Sequence, residues 1–151
     1  MGPGTRGLTR AVAAAGAVVA VDQVTKQLAI HAVVRGASQN VFFGIDIVNS
    51  RNAGVAFGAL EDGGVLVALL IGLSLALLLG YFALNLGMPG LWLPVGLLTG
   101  GALGNLADRA REGAVIDFID PIAWPAFNLA DASIVLGVLS LLYVIERPRR
   151  R

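Results

Sequence analysis

Four apolar stretches, each long enough to cross a lipid bilayer, constrain this chain more than any other feature. They occupy residues 11–30, 65–84, 91–107 and 129–145. A helix needs about 20 mainly apolar residues to span the hydrocarbon core. Only 14% of the chain is charged, whereas a soluble domain has about 25% charged residues. The sequence therefore predicts an all-α membrane protein, a four-transmembrane-helix bundle that forms a single domain over residues 1–151.

The first apolar stretch follows Arg6 and Arg10, an arrangement that is also typical of a signal peptide. Because this stretch reaches bilayer length and three more follow it, we predict an uncleaved first helix. Four spans place both ends of the chain on one side of the membrane, and the arginines near both ends favour the cytoplasmic side. The β-prone segment at about residues 41–60 would then lie outside. It predicts two short strands, near 43–48 and 52–58, at the membrane surface.

Two of the predicted helices carry small residues at every fourth position. This spacing predicts that their backbones approach neighbouring helices closely. The two sets are Gly72, Ala76 and Gly80 in the second stretch, and Gly96, Gly100 and Gly104 in the third.

Two carboxylates in apolar surroundings lack a basic partner in the sequence. Asp117 has no basic residue within four positions, and Asp131 lies at the start of the last apolar stretch. A lone buried charge is costly, so we expect these groups to be used. If the chain folds them together, they cannot both ionise easily, so one serves as an acid and the other as a base. Such a pair can activate water for attack on a peptide carbonyl.

Other polar residues of the spans have partners close in sequence. Asp22 and Lys26 are four residues apart, so they share a helix face and can form an ion pair. Asp108 is followed by Arg109, and we expect both Asp22 and Asp108 to stay ionised. Asn105 lies one turn before Arg109, and the two side chains could hold a substrate backbone or a neighbouring carboxylate.

Two alternative functions use the same carboxylates. A proton-coupled transporter would place them across the whole depth of the membrane, whereas here all but Asp22 gather towards the predicted outer side. A metal-dependent enzyme acting on lipid phosphates could use Asp108, Asp117 and Asp131 as oxygen ligands. Such an enzyme would lose activity when a chelator is added.

A third alternative is a Ser–Lys peptidase, in which Lys26 would activate Ser50 or Ser133. Asp22 argues against it, because a neighbouring carboxylate favours the charged ammonium. The chain has no Cys and one His, which excludes thiol nucleophiles and His-rich zinc sites. We expect no metal and no cofactor, and a net charge of +1 gives no reason to expect nucleic acid as a partner.

Five short motifs, in this order along the chain, resemble those of the bacterial lipoprotein signal peptidases, also called signal peptidase II. The motifs are Asp22-Gln23-Val24-Thr25-Lys26, Asn52-Ala53-Gly54-Val55-Ala56-Phe57-Gly58, Gly101-Ala102-Leu103-Gly104-Asn105-Leu106-Ala107-Asp108-Arg109, Val115-Ile116-Asp117-Phe118-Ile119 and Phe127-Asn128-Leu129-Ala130-Asp131. Each motif alone is weakly specific, but five in the family's order are highly specific.

The resemblance implies an intramembrane aspartic protease of the bacterial cytoplasmic (inner) membrane, with a small extracytoplasmic β-cradle and an active site near the outer face. Its substrates would be prolipoproteins cleaved just before a diacylglyceryl-modified Cys, and it would also contact membrane lipid and globomycin-type inhibitors. In the family's pattern Asp117 and Asp131 match the catalytic pair. The positions that shape the site or hold substrate match Asp22, Lys26, Asn52, Gly54, Asn105, Asp108, Arg109, Asn128 and Ala130.

Overall fold

The computed structural model describes residues 2–53 and 64–146. Within these residues the chain forms helices that pack around the third of them, together with one small sheet. The elements in chain order are α1 (Pro3–Ala32), β1 (Ser38–Phe42), β2 (Ile45–Asn52), α2 (Gly64–Leu84), α3 (Trp92–Glu112), β3 (Val115–Pro121) and α4 (Leu129–Glu146).

Length and apolar composition make two of the described helices, α1 and α4, candidates for crossing a membrane. A shorter apolar helix covers Leu69–Leu84 within α2. In α3 the second half buries Asn105 and Asp108, and these polar residues lower its hydropathy. The helical core and the small antiparallel sheet agree with the predicted fold, while four membrane crossings stay a prediction.

Small residues let α1 and α3 pack side by side in the same direction. A Cβ built on each glycine of the Gly96, Gly100 and Gly104 series would lie 2.6–2.7 Å from an atom of α1. The atoms met belong to Ala14, Val18 and Asp22, which follow one another in the same order, so the two helices are parallel. The close approach predicted for this series is therefore confirmed.

The same prediction is wrong for the series in α2. Among the described residues, no atom would lie within 4 Å of a Cβ built at Gly72 or Gly80. The reason is that α2 packs only lightly, against α3, and leaves most of its surface uncovered.

Alanine at Gly101 is expected to destabilise the fold by about 1–3 kcal/mol, the usual cost of overpacking. Its Cβ would lie 2.5 Å from the backbone oxygen of Ala130 and 2.5 Å from Ser133 Oγ on α4. Gly72→Ala is the matched control, and we expect it to be neutral or slightly stabilising because Ala is the better helix former. Unfolding of both variants in mixed micelles checks this, and equal stabilities would contradict the described packing.

Successive helices run in alternating directions. One cluster of buried apolar residues joins the start of α1, the end of α2, the start of α3 and the end of α4. Its members are Ala11, Phe82, Leu91, Val95 and Val144. The start of α1 and the end of α4 therefore lie at the same end of the bundle, opposite to the polar residues considered below.

The sheet joins three antiparallel strands in the order β1-β2-β3. A turn at Phe43 and Gly44 separates β1 from β2, and Gly44 has a φ of +74° that favours glycine. The strands lie at 38–42 and 45–52 rather than at the predicted 43–48, and residues 54–58 of the second predicted strand lie outside the described residues. The sequence did not predict β3. Its first four residues are all buried, so the strand lacks the alternation of apolar and polar residues that marks a half-buried strand.

Candidate active site

The start of α4 is fixed by a reciprocal pair of hydrogen bonds between Asn128 and Asp131. The backbone N–H of Asp131 donates to Asn128 Oδ1 at 2.9 Å, and the backbone N–H of Asn128 donates to Asp131 Oδ2 at 3.2 Å. This is the geometry of a capping box, which satisfies N–H groups that a helix start leaves without partners. The local sequence Asn128-Leu129-Ala130-Asp131 therefore both starts the helix and orients the Asp131 carboxylate.

A second helix completes this cap. The backbone N–H of Ala130 donates to Asp22 Oδ1 on α1 at 2.9 Å. Ala130 is fully buried, and its Cβ lies 3.4 Å from the position that a Cβ on Gly104 would take. A small residue is needed here because α1, α3 and α4 meet at this point.

Asp117 reaches the same place from β3. Asn128 Nδ2 donates to Asp117 Oδ1 at 2.7 Å, and Asn52 Nδ2 donates to Asp117 Oδ2 at 3.1 Å. Asn52 lies on β2, and its neighbour Ser50 stands directly opposite Asp117, so Asn52 and Asp117 are diagonal neighbours on one face of the sheet. Asn128 thus binds both Asp117 and Asp131, and the two predicted carboxylates are brought together.

Asn105 on α3 connects Asp131 to the only lysine of the chain. Its Nδ2 donates to Asp131 Oδ1 at 2.7 Å, while its Oδ1 accepts from Lys26 Nζ at 3.0 Å and from Asn128 Nδ2 at 3.1 Å. Because an ammonium can only donate, the Asn105 oxygen must face Lys26 and the amide nitrogen must face Asp131. Lys26 therefore fixes the orientation of the amide that holds Asp131.

Lys26 itself is fully buried and has a complete set of acceptors. Besides Asn105, it lies 2.8 Å from Asp22 Oδ2 and 2.7 Å from Asp108 Oδ2. The predicted pairing of Asp22 with Lys26 is therefore confirmed. The three acceptors match the three N–H donors of the ammonium, which is what a charged group needs when it is buried.

Asp108 takes part in this ion group from α3. Sequence reasoning assigned it Arg109, whereas its carboxylate pairs with Lys26 and, at 3.3 Å, with Arg111 Nη2. It also accepts the backbone N–H of Ile116 at 3.2 Å, which attaches β3 to the end of α3. Residues three apart on a helix lie on the same face, whereas adjacent residues do not, and this explains the choice of Arg111.

Gln23 also belongs to this ion group. It is part of the first of the five motifs, but the sequence did not predict a role for it. Its Nε2 donates to Asp22, Asp108 and the Gly104 carbonyl at 3.0–3.2 Å, and its Oε1 accepts from Arg111. Its position beside Asp22, at the polar end of an apolar helix, was the available signal.

The described residues bring together nine of the eleven predicted site positions. Those nine are Asp22, Lys26, Asn52, Asn105, Asp108, Asp117, Asn128, Ala130 and Asp131. Arg109 lies half-buried in α3 immediately after Asp108, and its role stays a prediction. Gly54 lies outside the described residues.

The surroundings of Asp117 change its acidity. Burial is the largest cause that raises the pKa of Asp117, to about 6 from an ordinary 3.8, and repulsion by the Asp131 charge also raises it. Hydrogen bonds from Asn52 and Asn128, together with the charge of Lys26, oppose this rise. A carboxyl group with a pKa near 6 can exchange a proton close to neutral pH, as acid–base catalysis requires.

Two of the alternative chemistries find no support in this geometry. Lys26 Nζ is surrounded by Asp22, Asp108 and Asn105, while Ser133 Oγ donates to backbone oxygens at 2.8 and 3.2 Å. The arrangement therefore does not favour a Ser–Lys peptidase. Among residues 2–53 and 64–146, no group of three or more His, Asp or Glu side chains is placed to hold a metal ion.

Comparisons with known proteins match most of the chain. The family model described as Signal peptidase (SPase) II matches residues 14–146. The lipoprotein signal peptidase of Pelotomaculum thermopropionicum is 41% identical over 85% of this chain and 86% of its own, and that of Moorella thermoacetica is 39% identical over 87% and 89%.

Two solved structures share the fold. A bacterial membrane enzyme determined by the in meso method at 2.3 Å resolution superimposes with a TM-score of 0.82 at 30% identity, and the match covers 93% of this chain and 92% of that one. A second such enzyme, at 1.9 Å resolution, gives a TM-score of 0.77 at 31% identity. The resemblance found in the five motifs is thereby confirmed, and the chain belongs to the signal peptidase II family.

Proposed function

We propose that this protein is an intramembrane aspartic endopeptidase that removes the signal peptide from diacylglyceryl-modified prolipoproteins by cutting just before the lipidated Cys. Membership of the family supports signal-peptide removal from prolipoproteins. The observation that carries the aspartic mechanism is the convergence of Asp117 and Asp131 on Asn128. Among the described residues, no other two carboxylates bind to one shared side chain while neither forms an ion pair with Lys or Arg.

In the proposed reaction the pair holds one proton. The ionised carboxylate takes a proton from a water molecule, and the hydroxide formed attacks the carbonyl carbon of the scissile peptide. The protonated carboxyl gives its proton to the carbonyl oxygen, which becomes a hydroxyl of the tetrahedral intermediate. When the intermediate collapses, the newly protonated carboxyl gives its proton to the leaving nitrogen, and one hydroxyl of the intermediate returns its proton to the ionised carboxylate. The C–N bond breaks, a carboxylic acid and an amine are released, and the pair again holds one proton. Asn52, Asn105 and Asn128 are positioning residues that hold the carboxylate oxygens.

The membrane arrangement is part of the proposal. We infer four spans in the bacterial cytoplasmic membrane, both termini in the cytoplasm, and the site near the outer face with the sheet as its β-cradle. The alternating helix directions and the site's position at the end opposite to both termini support this arrangement. Arg109 and Gly54 would contact the substrate, and globomycin-type inhibitors would occupy the same site.

A proton-coupled transporter is not supported. The family is one of peptidases, and the buried carboxylates gather at one end of the bundle. A transporter needs ionisable groups along a path from one side to the other.

The direct test uses purified protein in a bilayer with two precursors that differ only in the diacylglyceryl group on Cys. We expect cleavage of the lipidated precursor immediately before Cys, no cleavage of the unlipidated one, and full activity with a chelator present. Equal cleavage of both precursors would contradict the proposed substrate class. Loss of activity with the chelator would contradict the aspartic mechanism.

The alkaline side of the pH profile is expected to report Asp117. Above its pKa of about 6 the carboxyl ionises and the pair loses its acid, so kcat/KM of the free enzyme falls. In Asn52→Leu the hydrogen bond that stabilises the charged carboxylate is removed, so this pKa rises and the fall begins at higher pH. Asn40→Ala, which removes an exposed amide bound to Asp46, should leave the profile unchanged. A shift to lower pH in Asn52→Leu would contradict the assignment.

A further inference from the structure

The end of the sheet farthest from the candidate active site exposes large apolar side chains. We call Phe42, Phe43, Ile122 and Trp124 the apolar tip. Phe43 is 98% exposed and Ile122 is 89% exposed, and Phe42 and Trp124 are also exposed. Four such side chains together form a surface that a water-facing loop would not normally carry.

The tip is built as a unit from two separate loops. The backbone N–H of Ile122 donates to the Gly44 carbonyl at 3.0 Å, which ties the β3–α4 connection to the turn between β1 and β2. The Ile122 side chain lies 3.3 Å from the position that a Cβ on Gly44 would take, and a turn bond from Trp124 N–H to the Pro121 carbonyl holds the second loop. The apolar side chains are therefore held in one place by the fold.

Charge is absent from the tip and begins immediately behind it. Residues 41–45 and 121–125 carry no charged side chain. The next residues along the sheet, Asp46 and Asp120, face each other across β2 and β3. Two carboxylates would repel an anionic surface, so any partner of the tip must be bound through apolar contact.

The tip lies close to where the chain enters a candidate membrane helix. Trp124 is five residues before Leu129, the first residue of α4. Five extended residues reach at most about 17 Å. Aromatic residues with an apolar body and a polar edge are typical of the boundary between lipid and water. The tip therefore lies within about 17 Å of the first residue of a candidate membrane helix along the chain.

We propose that the apolar tip inserts into the leaflet of the bilayer at which α4 begins, so that the sheet lies along the membrane and not above it. The occupant of this surface is the acyl and glycerol region of bulk lipid. Insertion at the tip, together with α3 and α4 at the other end of the sheet, holds β3 at both ends and sets the depth of Asp117.

Trp124 provides the test, because the chain has two tryptophans and Trp92→Phe leaves Trp124 alone. The full chain in phosphatidylcholine vesicles should show blue-shifted emission that lipids brominated near the glycerol end of their chains quench and aqueous acrylamide does not. Phe43→Ser should weaken the quenching by bromine, while Phe43→Leu should keep it. Salt should have no effect, since no charge takes part.

Two results would overturn the proposal. One is quenching by acrylamide without quenching by brominated lipid. The other is quenching by lipid that appears only after a lipidated precursor is added, which would make the tip a substrate surface. The Asp131→Asn variant keeps this inference separate from the proposed function. It should lose cleavage and keep the same quenching.

Discussion

Asp117→Asn and Asp131→Asn are each expected to lower kcat/KM for a diacylglyceryl prolipoprotein by about 10³-fold or more, within the range by which acid–base groups accelerate reactions. An amide can neither take a proton from water nor give one to the carbonyl oxygen. Because the two carboxyl groups act as one unit, the double variant should be no slower than either single variant. The rate of cleavage, followed by the change in mass of the precursor in bilayers at saturating lipid, gives kcat/KM for the two single variants and the double variant.

Asp120→Asn is the matched control for this series. Asp120 lies on β3 three residues after Asp117, and it faces Asp46 across the sheet. Its charge is outside the network of asparagines around Asn128, so we expect activity near that of the parent protein. All variants should keep the parent's melting temperature within a few degrees. Cleavage retained by a folded Asp117→Asn or Asp131→Asn variant would refute the proposed pair.

Lys26→Met is expected to lower the free energy of unfolding by about 3–5 kcal/mol, the usual cost of removing one member of a buried ion group. Met has a similar length and no charge, so the carboxylates of Asp22 and Asp108 would stay buried without their shared cation. Cleavage should also fall, since the Asn105 amide would lose the contact that keeps its nitrogen towards Asp131. Unfolding in mixed micelles and cleavage in bilayers measure the two effects.

Arg111→Met is the control for the charge itself. Arg111 pairs with Asp108 at 3.3 Å, but its side chain is 56% exposed. Exposed ion pairs contribute about 1 kcal/mol or less, so Arg111→Met should lower the free energy of unfolding by no more than this. Adding Asp22→Asn and Asp108→Asn to Lys26→Met should restore part of the lost stability, because the two carboxylates that had shared Lys26 would no longer be buried as charges without their cation. A Lys26→Met protein as stable as its parent would contradict the structural role of the ion group.

Local patterns in the sequence predicted the helical core and the two carboxylates. Bilayer-length apolar stretches mark the helices, and the i, i+4 spacing of Asp22 and Lys26 marks their pairing. These features depend on residues close together in the chain, where spacing alone fixes geometry.

The features that the sequence did not predict all depend on distant contacts. The pairing of Lys26 with Asp108 joins α1 to α3, and the strand β3 is identified by its register with β2. The function of Asn128 as anchor for Asp117 and Asp131 requires both β3 and α4 in place. The family resemblance named most of these positions, but only the fold shows which atoms meet.

Asn128 couples local order in α4 to assembly of the site. The same side chain caps the helix and binds Asp117, so the first turn of α4 cannot fray without releasing the Asp117 carboxylate. Helix start and proton-transfer pair therefore belong to one cooperative opening unit. Amide hydrogens at the start of α4 should exchange together with those of β3, and substitutions of Asn128 will change chemistry and local stability at once.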